Sequence, residues 1–392
     1  MALVNRMIAN SMGGIVFLRI EDTDQKREVK GATQRLIDGM ANFGIKFDEK
    51  PYIQSQRVDI YKKHVQKLVE AGLAYHDDGA IRFKAPQTEE RITWADGAKG
   101  SMSLPPLERD PVIMKSNGIP PYNLAHVVDD FLMGTTHVVR GEEWLPSTAE
   151  HIQLYQAIEV VKAFEERTRD NKNSPPWQYI HMPVICIEEN GKKRKLSKRK
   201  DKHALAQTFL DEGYPPLAII EYLLTLYNTD FEMWRIENPC YKTSPFTKFN
   251  FRFEKVGTNS PLFDLDKLNH ISRNIIAKMT KDEIKAELEK FFADNKEVKP
   301  HLLKIKNVLS IDRETEKPRK DIAKFSEIPT EYDFLFHPAP KNPVGGYSSN
   351  LTKEEWLHLL KIHKINMKEL RKTLTGRESG PDLYQLMKII YS

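Results

Sequence analysis

The stretch Lys192-Lys193-Arg194-Lys195-Leu196-Ser197-Lys198-Arg199-Lys200 constrains this chain more than any other. A mostly apolar run, Tyr179 to Ile187, precedes it. A turn at Glu188-Glu189-Asn190-Gly191 leads into it, and an amphipathic helix beginning near His203 follows. This order predicts a buried strand, a basic loop at its end and a helix packed behind, which is an α/β arrangement. Lysines on a loop at the end of a buried strand suit a polyphosphate, because ammonium groups neutralise phosphate charge while glycine and serine let the backbone come close. On charge alone, a solvated basic loop or a nuclear-localisation run stands equally open.

A length of 392 residues allows two or three domains with substantial cores. The net charge of +5 permits an anionic partner without demanding one, and the clustering of basic residues around 192–202 says more than the total. The two cysteines, Cys186 and Cys240, form no CxxC pair, so a cysteine-rich zinc site is not expected, and they suit a reducing compartment. No apolar run reaches the ~18 residues of a membrane span and no signal peptide opens the chain, so no membrane association and a cytoplasmic location are expected.

Along the chain, Leu3, Met7, Ile8 and Met12 predict a helix over 1–12, stopped by Gly13-Gly14. The run Ile15 to Ile20 reads as a buried parallel strand. Glu21-Asp22-Thr23-Asp24 then lies at a strand's carboxyl end, where α/β sheets bind ligands, though a plain loop and helix cap would look the same. Helices are predicted over 28–43, with Val29, Ala32, Leu36, Met40 and Phe43 as one stripe, and over 56–73. Residues 74–118 read as a small β-rich insertion, with strands at Ile81–Lys84, Arg91–Trp94 and Pro111–Ser116. Beyond it come a helix from Tyr122, a strand from Thr136 to Arg140, a capped helix from Ser147 and a break at Pro175-Pro176 before the basic stretch. An apolar helix spans Pro215 to Asn228, and 229–262 reads as a connector. From Phe263 the pattern is helix after helix, with capping boxes at Thr280–Glu283 and Thr352–Glu355.

Three blocks in order carry a resemblance: Leu18-Arg19-Ile20-Glu21-Asp22-Thr23-Asp24; Tyr122 to Asp130 running on through Arg140-Gly141-Glu142-Glu143-Trp144-Leu145; and Lys195-Leu196-Ser197-Lys198-Arg199. The last resembles the KMSKS signature of class I aminoacyl-tRNA synthetases in its KLSKR spelling. Together, and with Leu374-Thr375-Gly376-Arg377 near the end, they look like glutamate–tRNA ligases. The resemblance implies α/β followed by all-α architecture. Its parts would be a Rossmann-like catalytic domain in two halves (1–73 and 119–228), an inserted subdomain that holds the tRNA acceptor end (74–118, short here), the connector at 229–262 and a helical anticodon-binding domain over 263–392.

It also implies a reaction. Glutamate attacks the α-phosphate of ATP to give glutamyl-adenylate and pyrophosphate, and a ribose hydroxyl at the 3′ end of tRNA(Glu) then takes the glutamyl group. The partners implied are L-glutamate, ATP with Mg²⁺, and tRNA(Glu), with the protein a monomer. Such transfers rest on positioning and charge, which fits a site of arginines and lysines without a nucleophile. Lys198, with Lys195 beside it, matches the catalytic lysines that stabilise the leaving pyrophosphate. ATP contacts are implied at Glu143, Lys195, Leu196, Ser197, Lys198 and Arg199. Glutamate contacts are implied at Glu21, Tyr122, His126, Arg140 and Trp144, where a guanidinium such as Arg140 can hold a carboxylate bidentately. Structural salt bridges or core aromatics are the alternative for each. His126 departs from the asparagine or aliphatic residue common in relatives, and adds a titratable group. His181 reads as core, and Asp129 and Asp130 as structural pairing.

The family's HIGH signature is absent: no His-x-Gly-His occurs, and Met1 to Arg6 resembles the interior of the helix that follows it. The expectation is that a first strand and the ATP-cradling histidines are missing. That leaves open a fragment, or a paralogue that only binds tRNA, beside the active ligase. A tRNA-modifying glutamyl transferase is disfavoured by the helical second half.

Overall fold

The computed structural model describes residues 1–23, 31–166, 177–197, 200–342 and 344–392. The chain divides into two compact units, Met1–Leu196 with Leu224–Phe263, and Ser197–Leu223 with Asp264–Ser392.

The first unit opens with α1 (Ala2–Met12), which buries Leu3, Met7 and Ile8 and ends where Gly13 turns left-handed at φ 67°. β1 (Arg19–Ile20), α2 (Ala32–Ala41), β2 (Tyr52–Ile53) and α3 (Val58–Glu70) follow. Next come β3 (Ala74–Asp77), β4 (Ala80–Phe83), β5 (Ile92–Asp96), β6 (Gly100–Leu104) and β7 (Val112–Met114). α4 (Tyr122–Met133), β8 (His137–Gly141), α5 (Thr148–Glu166), β9 (Gln178–Met182), β10 (Cys186–Glu189) and β11 (Lys192–Lys195) complete the series.

Two β-α-β crossovers frame the unit. β1 pairs in parallel with β2 across α2, and β8 pairs in parallel with β9 across α5. Parallel strands need such crossovers, and their carboxyl ends are left open. Glu21 follows β1 there, and Glu142 and Glu143 follow β8. A continuous core joins α3, α4 and α5 through Tyr61, Val65, Leu68, Leu124, Val128 and Leu154. The β-rich segment over 74–118 docks onto the same core through Phe83, Ile113 and Met114. Its first hairpin turns at Asp78-Gly79, both with positive φ, as a two-residue turn matched to strand twist requires.

Four expectations are corrected. The basic stretch is not simply a loop after one long strand. The chain breaks at Pro183 after β9, and β10 and β11 form an antiparallel hairpin that brings Cys186 opposite Lys195. Asn190-Gly191 with φ of 53° and 73° supplies the tight turn, so Lys192–Lys195 are strand residues. The run Ile15–Ile20 is not a continuous buried strand, since only Arg19–Ile20 pairs and Ile15 is exposed. The stripe on α2 is not a core face either. The helix has no buried residue and Leu36 points to solvent; only Phe43 beyond its end is buried, and Val29 lies outside the described residues. Residues 229–262 are packed rather than a bare connector. They hold short helices at Phe231–Glu237 and Pro245–Lys248, bury Phe249, Phe251 and Val256, and accept a hydrogen bond from Cys186 of β10 at the Pro261 carbonyl.

The second unit is helical, built around Trp356, Ile305, Val308, Phe325, Leu386 and Met387. Both expected capping boxes form: Thr280 with Glu283, and Thr352 with Glu355, exchange backbone and side-chain bonds at helix starts. On the helix Leu265–Lys278 the buried residues are Leu268, Ser272, Ile275, Ile276 and Ala277, while Leu265 is only half-buried. Three basic residues act as ties here. Arg313 donates to the Leu309 and Ile276 carbonyls, Arg319 pairs with Asp321, and Arg377 pairs with Glu331 just after the left-handed Gly376.

Candidate active site

α4 sets the spacing of one wall. Tyr122, His126 and Asp130 fall four residues apart and therefore on one helix face. Tyr122 and His126 stack with ring centroids 5.3 Å apart and planes 9° from parallel. Trp144 covers Tyr122 from the turn after β8, at 4.4 Å between centroids. His151 from α5 completes the aromatic group, 4.7 Å from His126 and 5.9 Å from Tyr122.

Two arginines enter this wall from the two parallel strand pairs. Arg19 of β1 donates to Asp130 Oδ1 at 2.7 Å and to His126 Nδ1 at 2.9 Å, and lies 3.4 Å from Glu21. A guanidinium only donates, so His126 Nδ1 carries a lone pair and its proton sits on Nε2. That Nε2 is buried and unpartnered. Burial first, and the Arg19 and Arg140 charges second, hold the His126 imidazole well below its ordinary pKa, so it is neutral. Burial pushes the Asp130 carboxyl up against the opposing pull of Arg19.

Arg140 of β8 is only 7% exposed. Its Nε donates to His181 Nε2 at 3.0 Å, its Nη1 to His151 Nδ1 at 2.9 Å and its Nη2 to Thr148 Oγ1 at 2.8 Å. Its guanidinium also rides over the Tyr179 ring at 4.9 Å. Every one of these acceptors is uncharged or aromatic, and among the described residues no carboxylate forms an ion pair with it. Burial holds His151 and His181 low as well, so neither adds charge. A buried cation with neutral acceptors keeps its field available to an incoming anion.

The polar residues at the first strand's end divide. Glu21 is half-exposed beside Arg19, whereas Asp22 is structural and accepts from the Ser55 backbone and hydroxyl at 2.8 and 2.6 Å. Asp24 lies outside the described residues. Asp129 is likewise structural, accepting from Gln54, Arg57 and Tyr61. Tyr122 has its hydroxyl pushed up to about 12 by burial and then by the Glu21 charge.

At the other end, Lys195 Nζ meets Glu143 Oε1 at 2.7 Å, both half-exposed. Glu143 is one residue from Trp144, so the returning strand of the basic hairpin reaches the same edge as the aromatic wall. Leu196 N donates to the Ile185 carbonyl at 2.9 Å. Ser197 opens the second unit's portion, where its N donates to Asp201 Oδ2 at 2.8 Å. Lys198 and Arg199 lie outside the described residues.

The structure thus joins Glu21, Tyr122, His126, Arg140 and Trp144 in one set of contacts, with Glu143 and Lys195 at its edge. Sequence reasoning gave no role to Arg19, though it stands inside a quoted block, nor to Asp96, Thr148 and His151. The signals were slight: a Asp96-Gly97 turn dipeptide, and two polar residues at the head of α5.

The family model for class I tRNA synthetases (E and Q), catalytic domain, matches residues 1–80 and 78–269. A glutamate–tRNA ligase of Clostridium perfringens is 33% identical over 99% of this chain and 88% of its own. One from Acetivibrio thermocellus is 34% identical over 92% of this chain and 74% of its own. Among solved structures, the glutamate tRNA ligase of Elizabethkingia meningosepticum in complex with its amino acid superposes with a TM-score of 0.75 at 25% identity, covering 99% of this chain and 92% of that one. The chain belongs to the class I tRNA synthetases of the glutamate and glutamine branch.

Proposed function

We propose that this protein is a glutamate–tRNA ligase that joins L-glutamate to tRNA(Glu) through glutamyl-adenylate. The observation that carries the reading is Arg140, a buried cation whose partners are all neutral. The α-carboxylate must stay free to attack phosphorus, so Arg140 takes the substrate's side-chain carboxylate, and His126 Nε2–H offers a further donor. Glu21 faces the substrate's ammonium, and Tyr122 and Trp144 wall the pocket. In the first step the α-carboxylate oxygen bonds the α-phosphorus while the bond to the β-phosphate breaks and pyrophosphate leaves. In the second, the terminal ribose hydroxyl bonds the acyl carbon and AMP leaves.

Lys198 and Lys195 neutralise the departing pyrophosphate, with Leu196, Ser197, Arg199 and Glu143 around the nucleotide. Mg²⁺ enters with ATP, bound through its phosphates. The helical part over 263–392 is the anticodon-binding region and 74–118 meets the acceptor end. The protein works as a monomer in the cytoplasm; among the described residues no helix is long and apolar enough to cross a membrane.

Glutamate-dependent ATP–pyrophosphate exchange tests this reading, on the chain itself and on a version preceded by an upstream strand and HIGH motif of the glutamate–tRNA ligase family. The account expects exchange with glutamate and not with aspartate, and a loss of about 10²- to 10³-fold for Lys198→Ala. Full exchange in Lys198→Ala would remove the role given to the basic stretch over 192–200.

A further inference from the structure

The β5–β6 hairpin ends in a turn that is built into the far side of Arg140. Gly97 N donates to the Tyr179 carbonyl of β9 at 2.8 Å. A Cβ at Gly97 would lie 2.8 Å from Ile180 Cγ1 and 2.9 Å from Phe253 Cδ2, so only glycine lets the turn seat this closely. The seating delivers Asp96, which is buried. Its Oδ1 accepts from Ala98 N, Lys99 N and His181 N at 3.1, 3.0 and 3.2 Å, and its Oδ2 meets His181 Nδ1 at 2.5 Å.

His181 stands opposite Arg140 in the parallel register of β8 and β9. Its Nε2 accepts from Arg140 Nε, which requires the proton on Nδ1, the side that Asp96 accepts. The other tautomer would set an imidazole N–H against the guanidinium N–H. The same turn reaches the neighbouring segment by a second arm: Lys99 Nζ pairs with Glu142 Oε2 at 2.6 Å, two residues after Arg140.

We propose that Asp96 and His181 are positioning residues for amino-acid recognition, with Asp96 fixing the His181 tautomer that orients Arg140. This rests on the reading that Arg140 holds the substrate carboxylate. Asp96→Asn keeps size but cannot accept on both sides. Its oxygen stays with the three backbone N–H groups, its amide then donates toward His181 Nδ1, and the ring proton moves to Nε2 against Arg140. In His181→Gln the side-chain oxygen can accept from Arg140 Nε, whereas His181→Ala leaves that donor unpaired.

The experiment is calorimetric binding of glutamyl-sulfamoyl-adenosine, and of AMP as a nucleotide-only probe, to the full chain and its variants. Histidine-selective ¹⁵N NMR reads the tautomer. Asp96→Asn and His181→Ala are expected to weaken the glutamyl probe about tenfold or more, with AMP binding within about twofold of wild type. His181→Gln is expected to recover most of the loss, and the pyrrole-type and pyridine-type signals of His181 exchange places in Asp96→Asn. Glutamyl-probe affinity within about twofold of wild type in both Asp96→Asn and His181→Ala, alongside a large loss in Arg140→Ala, would overturn the proposal. Equal weakening of both probes would overturn it too, as that marks general disorder. An Arg140→Ala that binds the glutamyl probe normally would instead sink the reading of Arg140 itself. Should Asp96→Asn fail to fold, the contrast between His181→Gln and His181→Ala decides.

Discussion

Arg140 and Lys195 are both cations of the first unit, and they are held in opposite ways. Arg140 is buried, touches no carboxylate and spends its donors on His181, His151 and Thr148. Lys195 is 56% exposed at the side chain and already paired with Glu143. A buried cation without a counter-ion is costly to the fold and gains most from an anionic ligand. An exposed pair is screened, contributes little and can exchange partners as a phosphate arrives. The difference separates a site of fixed geometry for a small carboxylate from an adaptable one for a polyphosphate.

The largest expected effect follows from removing the fixed side. Arg140→Ala should lower affinity for a glutamyl-adenylate analogue by about 10²- to 10³-fold, as expected for a desolvated charge contact. Arg140→Lys should recover little, because an ammonium cannot reach three acceptors in the fork geometry of a guanidinium. A fully active lysine variant would erase the contrast drawn here. On the adaptable side, Lys195→Ala should slow pyrophosphate exchange by about tenfold or less, with a loss that shrinks as salt rises. A salt-independent loss would place Lys195 in the fixed class.

Smaller effects concern stability. His126 is held neutral by burial, with a folded pKa well below its ordinary value near 6.5. The unfolded chain therefore binds more protons below about pH 6.5, and stability falls as pH drops through that window. The cost is at most ~1.4 kcal/mol per pH unit from this residue. His126→Asn should flatten the decline of denaturant-measured stability between about pH 6.5 and 5 by up to that slope. An unchanged slope would mean that the imidazole is charged in the fold. Least of all, Glu143→Gln should change stability by under about 1 kcal/mol, since its pair is half-exposed. A larger loss, read from chemical denaturation, would contradict the exposed pairing.

Local chemistry was legible in the sequence wherever one short segment decides the outcome. The capping boxes at Thr280 and Thr352 and the helix stop at Gly13 are of this kind. So is the four-residue spacing that stacks Tyr122 on His126. What was misread depends on distant partners. Ile15 to Ile20 looks like a buried strand, yet only two of its residues find a partner strand. The lysine run looks like a loop because lysine disfavours strands, yet Asn190-Gly191 folds it back onto β10. The Asp96–His181–Arg140 chain joins three segments far apart in sequence, and no periodicity within any one of them announces it.

Binding of glutamyl-sulfamoyl-adenosine to wild type and Arg140→Ala, measured by titration calorimetry at one salt concentration, bears most directly on the idea that the uncompensated guanidinium selects the amino acid. The account predicts tight binding to wild type and a loss of about 10²-fold or more in the variant, with AMP affinity preserved. Equal affinity of the two proteins for the glutamyl compound would contradict it.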